Sequence, residues 1–434
     1  MINGTKNAPP ANIVIPHFIA GAFSFLVLCL LMALSPESFR LHYFNPNLLA
    51  ITHLAVLGWA SNVILGALYQ LLPVLTQSPL YSIKLSRLSF FLFNLGVVIL
   101  VYSFYNFRVG VIMLVAAALL ITAVILVFTN VYLTIKKSDS KEIVLDFIST
   151  AIFWLFVTAV IGAFMAVNFV YPFIRTEHLT LLKVHANIGI AGWFILLIFG
   201  VASKLLPMFL LSHRVSDNKL KLSYFFINSS LVMFLTDVLV FCTLQRSVIY
   251  FSIAALGIIS FLTYVYEIYK IRVRRMPDIG MKQSLIAVVF ILIPLLMGFI
   301  INSNLFKGEL VNIKFSMAYL TATIFGVISL LILGQTYKIL PFIVWLDKYG
   351  SVAGKSKVPL PKDLYSESVA KLHFALFVLA FPLFLTGILF EYTFILQLAN
   401  ILLVIVALLY MYNVLKICYP SASNTLTSIS YGRT

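Results

Sequence analysis

The stretch His53-Leu54-Ala55-Val56-Leu57-Gly58-Trp59-Ala60-Ser61-Asn62-Val63-Ile64-Leu65-Gly66-Ala67-Leu68-Tyr69-Gln70-Leu71-Leu72-Pro73 decides the fold because its markers occur three times. Gly58-Trp59, Gly66 and Leu71-Leu72-Pro73 return as Gly192-Trp193, Gly200 and Leu205-Leu206-Pro207. They return again as Gly326-Val327, Gly334 and Ile339-Leu340-Pro341, at a constant offset of 134 residues. The segments that follow echo one another as Arg87-Leu88-Ser89-Phe90, Lys221-Leu222-Ser223-Tyr224 and Lys371-Leu372-His373-Phe374. Self-similarity at a fixed period is the sign of repeated architecture. The competing account is chance recurrence of the Gly and Pro that membrane helices use for packing, and the shared spacing at several positions disfavours it. Small residues let backbones approach, and a repeated Pro suits the point where a helix reaches the membrane surface.

Around this stretch the chain of 434 residues is 62% hydrophobic and 10% charged, with a mean hydropathy of +1.05. Soluble proteins hold about 45–50% apolar residues, so a water-soluble enzyme is excluded. Runs long enough to cross a hydrocarbon core of about 30 Å recur along the chain. They predict an all-α integral membrane protein with twelve helices, near residues 14–34, 47–75, 86–105, 109–134, 147–172, 179–210, 222–243, 247–269, 283–302, 313–343, 371–390 and 393–416. The repeat groups these into three pseudo-equivalent four-helix arcs, near 14–134, 147–269 and 283–416, within one membrane domain spanning 1–434.

The net charge of +16 is accounted for by the loops, so no nucleic-acid partner is expected. Connections after the even-numbered helices collect cations, among them Lys136, Lys137, Lys141, Arg214, Lys219, Arg272, Arg274, Arg275, Lys355 and Lys357. The alternate connections carry few, chiefly Arg40, Arg108, Arg175, Arg246 and Lys307. The positive-inside rule then predicts a multi-pass protein of a bacterial-type plasma membrane with both termini cytoplasmic. Met1 to Ile15 lack a cleavable-signal layout, so the chain is read as uncleaved. Cys29, Cys242 and Cys418 form neither a disulfide framework nor a metal-ligand spacing.

An ionisable side chain in a membrane segment is by default a functional hypothesis. His17 and His373 start the first and eleventh helices at the expected cytoplasmic surface, whereas His53 and His185 lie about two turns inside the opposite face. Register separates the second pair: His53 precedes Gly58 by five residues and His185 precedes Gly192 by seven. Two residues correspond to about 200° of rotation and about 3 Å of rise. On neighbouring helices of a pseudo-threefold ring, these registers let the two imidazoles face each other across one pore. Two converging imidazoles suit the axial positions of a haem iron. Trp59, Trp193, Asn62 and Gly66 are candidate walls of the cofactor site. The simpler alternative is that each histidine only bonds a neighbouring carbonyl.

At these residues the chain resembles the catalytic subunit (subunit I) of the haem-copper oxidases, most closely the b-haem, cytochrome-c-linked branch. That family has twelve helices in three arcs and a tenth-helix pattern of His-x-His-x-x-x-Leu-Gly-Trp followed by Gly, Leu-Tyr and Leu-Leu-Pro. The string from His53 to Pro73 resembles it from the second histidine onward, with Ile51 in place of the first; His185 takes the first position in its helix, with Asn187 at the second. The resemblance implies one low-spin haem b between the second and sixth helices, one third of the ring away from the family's usual place. The tenth helix has Tyr319 and Thr321 at the two ligand positions, and the seventh lacks the family's paired copper-binding histidines. Neither a bound copper nor oxygen reduction is therefore expected. The NnrS-like membrane proteins of the nitric oxide response are a related group that suggests this fold persists outside respiration.

Asp237, placed well inside the seventh helix by the apolar run, is expected to handle a proton or cation or to bond a neighbouring helix. Lys204 and Lys338 are expected to snorkel to the interface. Arg40, His42, Arg175, His178 and Lys183 are candidate partners for haem propionates, or ordinary interfacial residues. The sequence shows no phosphate loop, Ser-His-Asp set or zinc spacing. The leading expectation is thus a haem-binding electron-transfer protein in the lipid bilayer, with a redox protein or quinol as partner. The alternatives are a transporter or channel for a small solute or metal, and a haem or copper sensor or assembly factor.

Overall fold

The computed structural model describes residues 7–213, 215–241, 243–303 and 308–420; Arg214, Cys242 and Lys307 lie outside them. Twelve helices are long and apolar enough to span a membrane: α1 (Ala11–Leu34), α2 (Pro46–Thr76), α3 (Ile83–Tyr105), α4 (Val111–Lys136), α5 (Ile143–Val170), α6 (His178–Leu210), α7 (Asn218–Phe241), α8 (Ser247–Lys270), α9 (Ile279–Asn302), α10 (Glu309–Tyr349), α11 (Glu367–Phe390) and α12 (Thr393–Cys418). No β-strand occurs among the described residues, and the protein is an all-α membrane protein.

The repeat is visible as packing. Within the apolar windows of α2, α6 and α10, 72%, 61% and 83% of residues are buried, against 28–50% in the other nine helices, so these three form the inner ring. Around them α3 packs on α4, α7 on α8 and α11 on α12, and the units join through α4 on α5, α8 on α9 and α12 on α1. Gly66, Gly200 and Gly334 make the approach of the inner helices possible. A Cβ there would stand 2.6 Å from the Cβ of His17, 2.4 Å from that of Phe147 and 2.8 Å from that of Gln283. Those three residues therefore occupy one position in α1, α5 and α9. In α9 the helix is interrupted at Ile291, three residues before Pro294, which has no N–H to give the carbonyl of Phe290.

Each inner helix also widens into a π-helical segment, Leu54–Ser61, Ile188–Ile195 and Ala322–Ser329, again 134 residues apart. Such bulges are rare and favour functional positions. Two of the three pairs of segments are tied across the axis. The Trp59 indole donates to Ser329 Oγ at 2.9 Å and the Trp193 indole donates to Ser61 Oγ at 3.0 Å, all four residues being buried. The third member of this cyclic pattern is Val327 with Ile195, where donor and acceptor are both replaced by apolar side chains. Joint replacement avoids a buried hydroxyl without a partner.

At the cation-rich end, amide side chains fasten helix starts. Asn130 accepts from Ser82 N and donates to Ser82 O, and Asn413 does the same with Ser366; the two serines then cap α3 and α11. Only an amide offers donor and acceptor side by side. Lys204 and Lys338, expected to snorkel, meet carboxylates at helix starts: Glu142 at 2.7 Å and Asp278 at 2.5 Å. Burial opposes ionisation of Asp278, but the hydrogen bond and charge of Lys338, the Met281 N–H and Arg274 outweigh it and hold its carboxyl below the usual value. Asp237 is four residues from the end of α7, because the helix stops at Phe241, so it lies near the cation-poor rim rather than deep in the span. It is 2% exposed, and its Oδ1 faces Arg246 Nη1 at 3.3 Å.

Candidate functional site

His53 and His185 meet between α2 and α6, on the cation-poor side of the π segments. Their ring centroids are 6.3 Å apart and their planes 23° from parallel. His53 immediately precedes its π segment, whereas His185 lies three residues ahead of its own, which is the register difference read from the sequence.

Each imidazole is held through Nδ1. His53 Nδ1 is 2.7 Å from Leu49 O, one turn back in α2, and His185 Nδ1 is 3.1 Å from Thr158 O on α5. A carbonyl can only accept, so both rings carry their proton on Nδ1 and keep the Nε2 lone pair. This is the second-shell arrangement that orients metal-ligating histidines. Phe104 stacks on His53 at 4.8 Å. Gly162 on α5 seats the His185 ring, since a Cβ there would lie 2.9 Å from its Cε1. Two neutral imidazole nitrogens are a donor set that transition metals accept.

The structure does not bring the four candidate wall residues to this pair. Trp59 and Trp193 follow the histidines by six and eight residues and are committed to Ser329 and Ser61 on the central axis, with Trp59 stacked on Phe25 at 4.5 Å. Asn62 donates to Gly58 O and Asn94 Oδ1, and Gly66 is filled by His17. Of the candidate propionate partners, Arg40 donates to Thr393 Oγ1 on α12 and the His42 ring accepts from Phe44 N. Arg175 and Lys183 are exposed. His178 lies two turns before His185 on the same helix, between Phe44 and Phe169, and its buried Nε2 has no hydrogen-bond partner. Thr158, Gly162, Phe104 and the carbonyl of Leu49 complete the site; no motif in the sequence marks them.

Between α2 and α10, where the resembled family holds its low-spin haem, a cavity of about 20 Å³ is lined by Leu48, Ile51, Thr52, Met317 and Thr321 among others. That is room for about one water. Among the described residues no group of three or more His, Cys, Asp or Glu side chains is placed to hold a metal ion. No protein-family model matches the chain, and no curated protein matches it.

Proposed function

We propose that this is a haem-binding membrane protein related to subunit I of the haem-copper oxidases, with one low-spin b-type haem held axially by His53 and His185 and serving electron transfer. The observation that carries the reading is the imidazole pair itself, 6.3 Å apart with both Nδ1 atoms engaged by carbonyls. His53 and His185 are the side chains that would hold a haem, which when bound would supply one-electron exchange. The chain's part is to fix the two rings through Leu49 and Thr158, to keep water from them with Phe104, and to seat the His185 ring against Gly162. No copper centre is proposed, because α7 offers no histidine pair.

By the positive-inside rule the cation-rich end faces the cytoplasm of a bacterial-type cell, both termini lie there, and the imidazole pair sits in the outer half of the plasma membrane. A redox protein at the outer face or a quinol in the bilayer is then the natural partner. A second reading is favoured by the same pair taken with His178 two turns above it: imidazoles in series suit a transition-metal ion, making the chain a metal carrier or a haem or copper sensor or assembly factor.

Haem and metal analysis of protein purified from haem-replete cells, beside His53→Leu, separates the readings. One haem per chain, lost in the variant, is the expected result. A histidine-dependent metal ion without haem would overturn the cytochrome reading in favour of metal handling.

A further inference from the structure

Away from the imidazole pair, buried polar groups without partners occur near the cation-rich end of each unit, at His17 in the first, Ser223 in the second, and His373, Gln283 and Gln335 in the third. His373 on α11 and Gln283 on α9 are both 0% exposed. Neither ring nitrogen of His373 and neither amide atom of Gln283 meets a hydrogen-bond partner. Gln335 on α10 gives its amide to Ser284 Oγ at 2.7 Å, but its Oε1 is likewise unpartnered.

Pseudo-symmetry places these groups together. In the first unit His17 fills the space at Gly66, Tyr69 follows one turn later with its ring 5.8 Å from His17, and the Tyr69 hydroxyl is 3.1 Å from Ser89 Oγ. In the third unit Gln283 fills the space at Gly334, Tyr337 follows one turn later, and its ring lies 5.5 Å from His373, which stands where Ser89 does. Gln283, Tyr337 and His373 thus stand near one another on α9, α10 and α11. The second unit has Phe147 at the position of Gln283, with the Tyr224 ring 5.1 Å from it.

We propose that Gln283, Tyr337 and His373 enclose bound water and form a proton-exchanging chamber in the third unit. Buried amide and imidazole atoms left dry each carry a full desolvation penalty, and native interiors relieve it with ordered water making two to four hydrogen bonds. His373 can accept a proton at one ring nitrogen while releasing one at the other, so transfer through it needs no other bond to form or break. The cation-rich surface is close. The Tyr337 ring is 4.8 Å from Tyr365 in the connection before α11, and Asp278 at the start of α9 precedes Gln283 by five residues. The titratable groups around the chamber are Asp278, Tyr337, Lys338, Tyr365 and Tyr410; Asn413 holds the Tyr337 hydroxyl and Thr336 that of Tyr410. The inference is independent of whether haem is bound.

Solid-state NMR of the whole protein in lipid bilayers, labelled at histidine and glutamine, tests it. Water-edited spectra are expected to show early polarisation transfer from water to the His373 imidazole and the Gln283 amide. The His373 ring proton is expected to exchange with deuterium well before the surrounding core amides. His373→Phe should cut the transfer at Gln283 several-fold, and His373→Gln, which keeps hydrogen-bonding atoms, should retain it. Absence of water transfer at both side chains in the folded wild type would overturn the proposal. So would ring exchange only in step with the core amides, or a Gln283 signal that His373→Phe leaves unchanged.

Discussion

Gly162→Ala tests whether the seat of the His185 ring supports a cofactor site. The added Cβ would stand 2.9 Å from His185 Cε1 and 3.4 Å from its Nδ1. Ordinary contact between carbons needs about 3.5–4.0 Å, so the ring must retreat by about 0.6–1 Å. The Nδ1 contact to Thr158 O is already 3.1 Å, and such a movement takes it out of hydrogen-bonding range or swings the ring. Preorganised sites tolerate about 0.5 Å of displacement. Loss of a second-shell partner typically costs about 10–100-fold in metal affinity. Titration of the haem-depleted protein with haem, followed by absorbance, should therefore show affinity lowered by about 10–100-fold in Gly162→Ala. Gly110→Ala is the control, because a Cβ there meets nothing within 4 Å. Wild-type affinity in Gly162→Ala, with the variant normally folded, would refute the placement of the cofactor against His185.

Other consequences concern the scaffold. A double-mutant cycle of Trp59→Phe with Ser329→Ala, read by unfolding in mixed micelles, should give a coupling of about 0.5–1.7 kcal/mol, as hydrogen bonds between membrane helices do; additivity would count against the cross-axis tie. Asn413→Leu strips partners from both Ser366 backbone groups and should destabilise by about 1–3 kcal/mol, and an unchanged melting temperature would contradict that role. The folded pKa of Asp278 is depressed, so its contribution to stability is complete above the unfolded carboxylate value and lost as pH falls through the folded one. Since Asp278 is 38% exposed the effect is small. Lys338→Met should flatten the acid limb of the stability profile, and an unaltered limb would refute the pairing.

The helix pattern was legible because apolar length alone marks a membrane span. The starts of α5, α7, α9, α10 and α11 fell four residues late, since their first turns hold Asp146, Lys219 and Lys221, Lys282, Glu309, and Glu367. Those turns are built by caps and charge pairing, to which hydropathy is blind. Asp237 was misplaced in depth for a related reason: apolar residues continue to Phe241, where the helix ends. The proximity of the two imidazoles followed from register counted against Gly58 and Gly192, yet the partners that aim them are a backbone carbonyl one turn back and one on a different helix. The tryptophan ties were within reach, because Ser61 and Ser329 share the repeat position at which Ile195 accompanies the missing third tryptophan. The π segments were not, since their backbone widening leaves no polar signature.

The central claim is that His53 and His185 jointly hold one low-spin haem. Its most direct test is a reduced-minus-oxidised optical spectrum of the purified protein, recorded beside His53→Ala and His185→Ala. The account predicts sharp low-spin bands in the wild type that collapse in both variants. A wild-type spectrum without haem from haem-replete cells, or bands that survive either substitution, would contradict it.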